Sequence, residues 1–209
     1  MSDINNNEEK SIEEPLAENV DKKPSKSQNR KKFIREFVDY IEMFAVAVGI
    51  VVLLFSFCFR LCTVSGDSMN DTLIHGERVI ISDILYSPKR GDIIVFHDTK
   101  TLNEPVIKRV IATEGETVQT FYTDTGMTVK ITDKDGNESH LEEEYTKYLY
   151  PTYLPNTYTV PEGKVFVMGD NRSNSKDSRH PDIGFVDERS ILGRVLFRVT
   201  PLSKLGEVK

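Results

Sequence analysis

The chain has 209 residues, 38% hydrophobic and 29% charged, with a net charge of −6; its pI is near 5.3 and its mean hydropathy is −0.37. This composition excludes a collagen-like or wholly disordered chain, and the acidity argues against a general nucleic-acid binder. The average conceals strong unevenness: residues 1–36 hold almost nothing that can build a core, and residues 44–59 hold no charge, which speaks against a single cytosolic domain.

Residues 1–21 are acidic and polar, and residues 22–35 then carry seven basic residues (Lys22, Lys23, Lys26, Arg30, Lys31, Lys32, Arg35) and no acid. Such a stretch cannot bury enough apolar surface to offset chain entropy, so residues 1–30 are expected to be disordered. Residues 1–36 as a whole read as a cytoplasmic tail with a basic segment. Lys and Arg concentrated before an apolar run are the positive-inside signal.

That run, residues 44–59 (FAVAVGIVVLLFSFCF), extends to 22 positions over residues 41–62. As a helix it would be about 33 Å long, which matches a hydrocarbon core of about 30 Å. The long polar lead-in and the lack of a convincing A-x-A site speak against a cleaved signal peptide. Residues 37–62 are therefore expected to be a single-pass anchor in the cell membrane, N-terminus cytoplasmic, with residues 63–209 extracytoplasmic. Cys58 and Cys62 both fall in the apolar segment and residues 63–209 have no cysteine, so no disulfide framework or zinc-ligand spacing exists.

Residues 63–209 hold 18 Lys and Arg against 23 Asp and Glu, in a stretch long enough for a substantial core. They read as β. Short β-branched or aromatic runs occur at 78–84, 92–97, 106–112, 128–132, 164–168 and 193–199, separated by turn signals at 88–91, 135–137, 161–163 and 169–171. The expected fold class is mainly β, an antiparallel folded-sheet domain preceded by one N-terminal transmembrane helix. Residues 133–160, rich in Glu, Tyr and Pro, are expected to leave the sheet, and about 119–160 reads as an excursion or small subdomain.

Three places can carry chemistry. Ser65-Gly66-Asp67-Ser68-Met69 follows the apolar segment, and Ser68 can lie no farther than about 22 Å from the membrane surface. Gly66 can supply an unusual backbone angle just before the serine. Lys108 sits in a strand between Val106 and Val110, with Arg109 facing the other way. A free lysine titrates near 10.4, but burial without a carboxylate partner brings the amine toward neutrality, where it can act as a base. The third place is residues 169–179 (GDNRSNSKDSR), dense in hydrogen-bonding side chains. Its Asp and Asn spacing does not follow an EF-hand; it reads either as a solvated turn or as a brace for a catalytic group.

Residues 65–73 (SGDSMNDTL), 89–96 (KRGDIIVF), 106–117 (VIKRVIATEGET) and 169–186 (GDNRSNSKDSRHPDIGFV) resemble, in order, the sequence blocks of type I signal peptidases. With the preceding anchor, the chain is similar to the compact Gram-positive form over roughly residues 40–200. The resemblance implies Ser68 as nucleophile, Lys108 as general base and Ser175 as the residue that hydrogen-bonds and orients the base. It also implies Asp177 and Arg179 as a structural ion pair, with Asp170 and Ser178 in supporting roles. Gly66, Asp67, Ser68 and Met69 would form the oxyanion and substrate-binding stretch, the Ser68 N–H being one oxyanion donor. Gly66 stands where some relatives carry a second, side-chain donor. Asp71 replaces a common proline, and residues 112–116 (ATEGE) replace the usual G-x-P-G-D.

The implied activity is a membrane-anchored serine endopeptidase that removes N-terminal signal peptides, with small residues at the −1 and −3 positions of the substrate. The implied partners are the lipid bilayer and preproteins emerging from the export machinery, with no nucleic acid, no metal and no cofactor. A Ser-His-Asp hydrolase built on His97-Asp98 or His75 is the enzymatic rival. Self-cleaving SOS repressors share Ser/Lys chemistry but have a DNA-binding domain and no anchor. A tethered binding module or an inactive peptidase is the non-enzymatic rival.

Overall fold

The computed structural model describes residues 26–70, 72–98, 104–124, 126–146 and 153–208. The expectations for residues 1–25, for Asp71 and for part of the 133–160 excursion lie outside the described residues. The chain divides into two compact units, Met1–Ile50 and Val51–Lys209.

The first described element is α1 (Lys26–Cys58). Its Arg30–Cys58 portion is long and apolar enough to cross a membrane, and none of its apolar window is buried inside the protein. Helix starts within the segment expected to be disordered, because Lys, Gln and Arg at 26–32 are good helix formers continuous with the apolar run. At the other end the helix stops four residues short of the expected Cys62. Arg60–Thr63 is instead a strand, β1, since Leu61 and Cys62 pair with Ile80 and Val79.

The rest is antiparallel β. The strands are β2 (Arg78–Ser82), β3 (Ile93–Asp98), β4 (Glu104–Thr113), β5 (Thr117–Thr123), β6 (Gly126–Thr132), β7 (Glu138–His140), β8 (Asn156–Thr159), β9 (Lys164–Met168), β10 (Val186–Asp187), β11 (Ile191–Thr200) and β12 (Gly206–Glu207). One sheet runs β1-β2-β11-β3-β4-β9-β10, with β12 also on β11; the other runs β7-β6-β5-β8. The second sheet, β5 to β8, falls between residues 117 and 159, so the stretch read as an excursion or small subdomain carries strands that pair among themselves, apart from the first sheet. In β6 the pattern is legible: Met127, Val129 and Ile131 alternate inward. Its partner β5 went unread because one of its inward positions is Thr120, a buried polar residue.

The core forms three clusters, and β4 touches all of them. Ile107 packs with Met69 and Leu73, Val106 and Val110 with Ile94 and Val167, and Ile111 with Phe166 and Val129. Burial along nearly the whole strand makes β4 a rigid carrier for anything it presents. Two such residues, Lys108 and Arg109, are charged types in an otherwise apolar run.

Candidate active site

Ser68 lies in the loop between β1 and β2. The loop is closed at its base by Val64 and Glu77, whose N–H and carbonyl pair at 2.8 Å, and by Gly76 N–H donating to Val64 O at 2.9 Å. Gly66 has φ +85°, a conformation that L side chains disfavour. Met69 and Leu73 anchor the next turn in the core, Leu73 N–H donating to Met69 O at 2.8 Å. Ser68 is thus left half-buried between an exposed bend and an anchored turn.

Lys108 reaches this serine from β4. Its Nζ donates to Ser68 Oγ at 2.7 Å and to Ile107 O at 2.9 Å. The residue is only 3% exposed. Burial pushes the amine down to about 8, although Asp177 and Asp170 oppose the shift. Desolvation disfavours the ammonium, and the two carboxylates do not offset it because each is already held by an arginine.

Those carboxylates belong to the loop after β9. Asp170, fully buried, accepts from Arg109 Nε at 2.9 Å and Nη2 at 2.7 Å, and from Thr72 Oγ1 at 2.5 Å. Asp177, also fully buried, accepts from Arg179 Nε at 2.8 Å and Nη2 at 2.7 Å, and from Gly169 N–H at 3.0 Å. Burial alone would raise the Asp177 carboxyl, but the Arg179 contacts outweigh it and hold it below the usual carboxylate range. Ser178 extends β9 sideways, its Oγ accepting from Val167 N–H at 2.9 Å.

The loop also grips the serine's backbone. Asn171 N–H donates to Ser68 O and its Nδ2 to Asp67 O, both at 3.0 Å. Gly169 sits so close that a Cβ there would lie 2.4 Å from Ser68 O and 2.2 Å from Ser175 Oγ. Only glycine lets the two loops approach this far. Beside them opens a cleft of about 340 Å³, lined by Ser65, Ser68, Val106, Ile107, Lys108 and Lys176 among others.

Several sequence expectations change in detail. Ser175 is buried, but its Oγ makes no hydrogen bond of regular geometry. The expected bond to Lys108 is not formed, because the amine turns to Ile107 O instead; the hydroxyl lies by Asp177 and helps keep it ionised. Met69, expected in the substrate-binding stretch, is 1% exposed with its side chain in the core. Asp67 and Gly66 are exposed and take part through their backbones. The histidine alternative loses its geometry, since His75 Nδ1 accepts from Gly66 N–H at 3.1 Å and His97 pairs with Pro105 on the sheet.

Sequence reasoning missed Arg109, Thr72, Asn171 and Arg172 as parts of this assembly. The contrast of Arg109 with its apolar strand neighbours was the available signal; its partner, 61 residues away, was not visible.

The sequence profile of the family described as "Signal peptidase, peptidase S26" matches residues 37–200. The chain belongs to that signal peptidase family. A protein of Synechocystis sp. named "Probable signal peptidase I-1" is 37% identical over 187 residues, covering 85% of this chain and 88% of the relative. Signal peptidase IB of Staphylococcus aureus is 34% identical over 181 residues, covering 81% of this chain and 93% of the relative. A crystal structure of a signal peptidase I from Enterococcus faecalis aligns over 52% of this chain and 97% of its own, at 34% identity and a TM-score of 0.41. This signal peptidase is accordingly a serine peptidase, a hydrolase of the type I class, and its mainly antiparallel β fold with one apolar N-terminal helix agrees with the sequence expectation.

Proposed function

We propose that this signal peptidase cleaves preproteins with a Ser68/Lys108 dyad while anchored by α1, its N-terminus cytoplasmic and its β domain outside. The observation that carries the reading is the 2.7 Å approach of Lys108 Nζ to Ser68 Oγ, with the amine buried and its pKa depressed. Neutral Lys108 takes the Ser68 proton as Oγ bonds to the scissile carbonyl carbon. The ammonium then returns that proton to the departing amine as the C–N bond breaks, leaving an acyl-enzyme. Water attacks the ester, giving its proton to Lys108, which hands it back to Ser68 Oγ when the acyl group leaves. The carbonyl oxygen carries the developing charge, and in this reading the Ser68 N–H serves as one donor to it.

The supporting residues have defined places in this scheme. Asp170 and Asp177 hold the loop that cradles Ser68, and Ser175, Ser178 and Arg179 keep Asp177 and β9 in register. The extended backbone at residues 62–65 and 104–108 flanks the cleft, which suits a substrate segment bound as a strand with small residues at −1 and −3. Tethering makes the encounter with a membrane-held signal peptide two-dimensional, and β1 begins only two residues beyond α1. Export machinery delivering such preproteins is the partner this reading implies.

The test is cleavage of a preprotein by the purified, detergent-solubilised chain. Ser68→Ala and Lys108→Met should each remove nearly all turnover while circular dichroism stays that of the parent. Substantial turnover by Lys108→Met would refute the dyad.

A further inference from the structure

The site loop contains more buried charge than the dyad requires, and the charges balance only through a residue from the other sheet's connections. Arg109, Arg172 and Arg179 are each no more than 5% exposed. Asp170 pairs with Arg109 and Asp177 with Arg179. Glu143, itself 8% exposed, pairs with Arg172 through both carboxylate oxygens, one of them at 2.5 Å from Nη1.

The same stretch touches the other two arginines. Tyr145 donates from its hydroxyl to Glu143 Oε1 at 3.0 Å, and its ring lies 3.9 Å under the Arg109 guanidinium. Burial pushes the Tyr145 phenol up, so it stays a donor. The ring of Tyr153 lies 4.8 Å from the Arg179 guanidinium, and its hydroxyl donates to Ser175 O at 3.2 Å. Every buried arginine of the site is therefore capped by a side chain from the chain between β7 and β8.

We infer that Glu143, with Tyr145 hydrogen-bonded to it, positions the nucleophile by clamping Arg172 against the loop that holds Ser68. The relay is short. Arg172 Nε donates to Gly169 O at 3.1 Å, and Arg179 Nη2 donates to Arg172 O at 3.0 Å. Next in the loop, Asn171 N–H holds Ser68 O. Without the Glu143 charge, Arg172 becomes an uncompensated buried cation, and the loop must yield to let water reach it. Ser68 would then drift from Lys108, while the β1 and β4 residues that line the rest of the cleft stay in place. These are positioning residues, and the inference rests on the Ser68/Lys108 reading.

The experiment measures kcat and KM of the full-length protein in detergent on a preprotein substrate, with the folded fraction read by near-ultraviolet circular dichroism. Glu143→Gln should lower kcat about ten- to hundred-fold, the scale of a small misplacement of reacting groups, with KM essentially unchanged. On an Arg172→Gln background the same change should have almost no further effect, because the relay is already cut. Unchanged kcat, or an equal loss on both backgrounds, overturns the inference. If Glu143→Gln does not fold, Tyr145→Phe removes one hydroxyl and should lower kcat about five-fold, the size of one hydrogen bond; no decrease overturns the inference. Ser68→Ala run alongside separates the two ideas, since turnover there refutes the dyad itself, whereas an inert Ser68→Ala with an unimpaired Glu143→Gln refutes only the clamp.

Discussion

Lys108 and Arg109 are adjacent on β4 and equally buried, each 3% exposed, yet they meet opposite electrostatic fates. Arg109 receives a bidentate carboxylate from Asp170, while the Lys108 amine donates to a hydroxyl and a carbonyl. One position is built to keep a cation and its neighbour to shed one. Strand alternation separates their side chains, so the two environments do not average out.

The rate of preprotein cleavage should follow the neutral fraction of Lys108. With the amine pushed down to about 8 by burial, kcat/KM rises tenfold per pH unit below that value and levels above it. A pH–rate profile from 6 to 10 checks this, and an acidic limb centred near the ordinary lysine value would contradict it.

Lys108→Met should stabilise the fold while abolishing turnover. The lysine's pKa is lower folded, about 8, than its ordinary 10.5, so folding is opposed wherever the unfolded chain binds the proton more tightly. That penalty is full below pH 8, about 3 kcal/mol at most, and disappears as pH rises through 10.5. Urea unfolding at pH 7 and pH 10 should show the variant's advantage shrinking with pH.

Asp170→Asn should do the reverse. It leaves Arg109 buried without its carboxylate and replaces an oxygen that accepts from Thr72, a change expected to cost about 3–5 kcal/mol. Denaturant titration of the variant measures the loss, and an unfolding midpoint equal to the parent's would show that the pair contributes nothing net.

Gly169→Ala should impair catalysis out of proportion to its size. The added methyl would meet Ser68 O at 2.4 Å and Ser175 Oγ at 2.2 Å, so the two loops must separate. A shift near 1 Å at the nucleophile costs about a hundredfold in rate. Kinetics on folded variant protein decide the matter, and activity near the parent's would mean that the loops part without moving Ser68.

The local signals were strong where they were periodic or compositional. The apolar run appeared as helix and the alternation at 128–132 as strand, because both depend on neighbours within a few residues. Edge strands β1, β10 and β12 escaped notice, being two to four residues long and held by pairing to distant partners rather than by their own pattern. The helix end was misplaced for the same reason: Leu61 and Cys62 are apolar enough for either state, and the ladder to β2 decides between them.

The same division runs through the site. The amino-acid order alone determined the residue types and blocks, the serine after Gly66, the lysine in an apolar strand and the polar loop at 169–179, since these are contiguous in the chain. Tertiary structure alone decided which groups meet: Lys108 with Ser68 across 40 residues, Asp170 with Arg109 across 61, and Arg172 with Glu143 across 29. Burial and charge pairing are properties of the assembled core, where desolvation and opposite charge act through space. That is why the protonation of Lys108 could be anticipated as a requirement but had its cause only once the strands were packed.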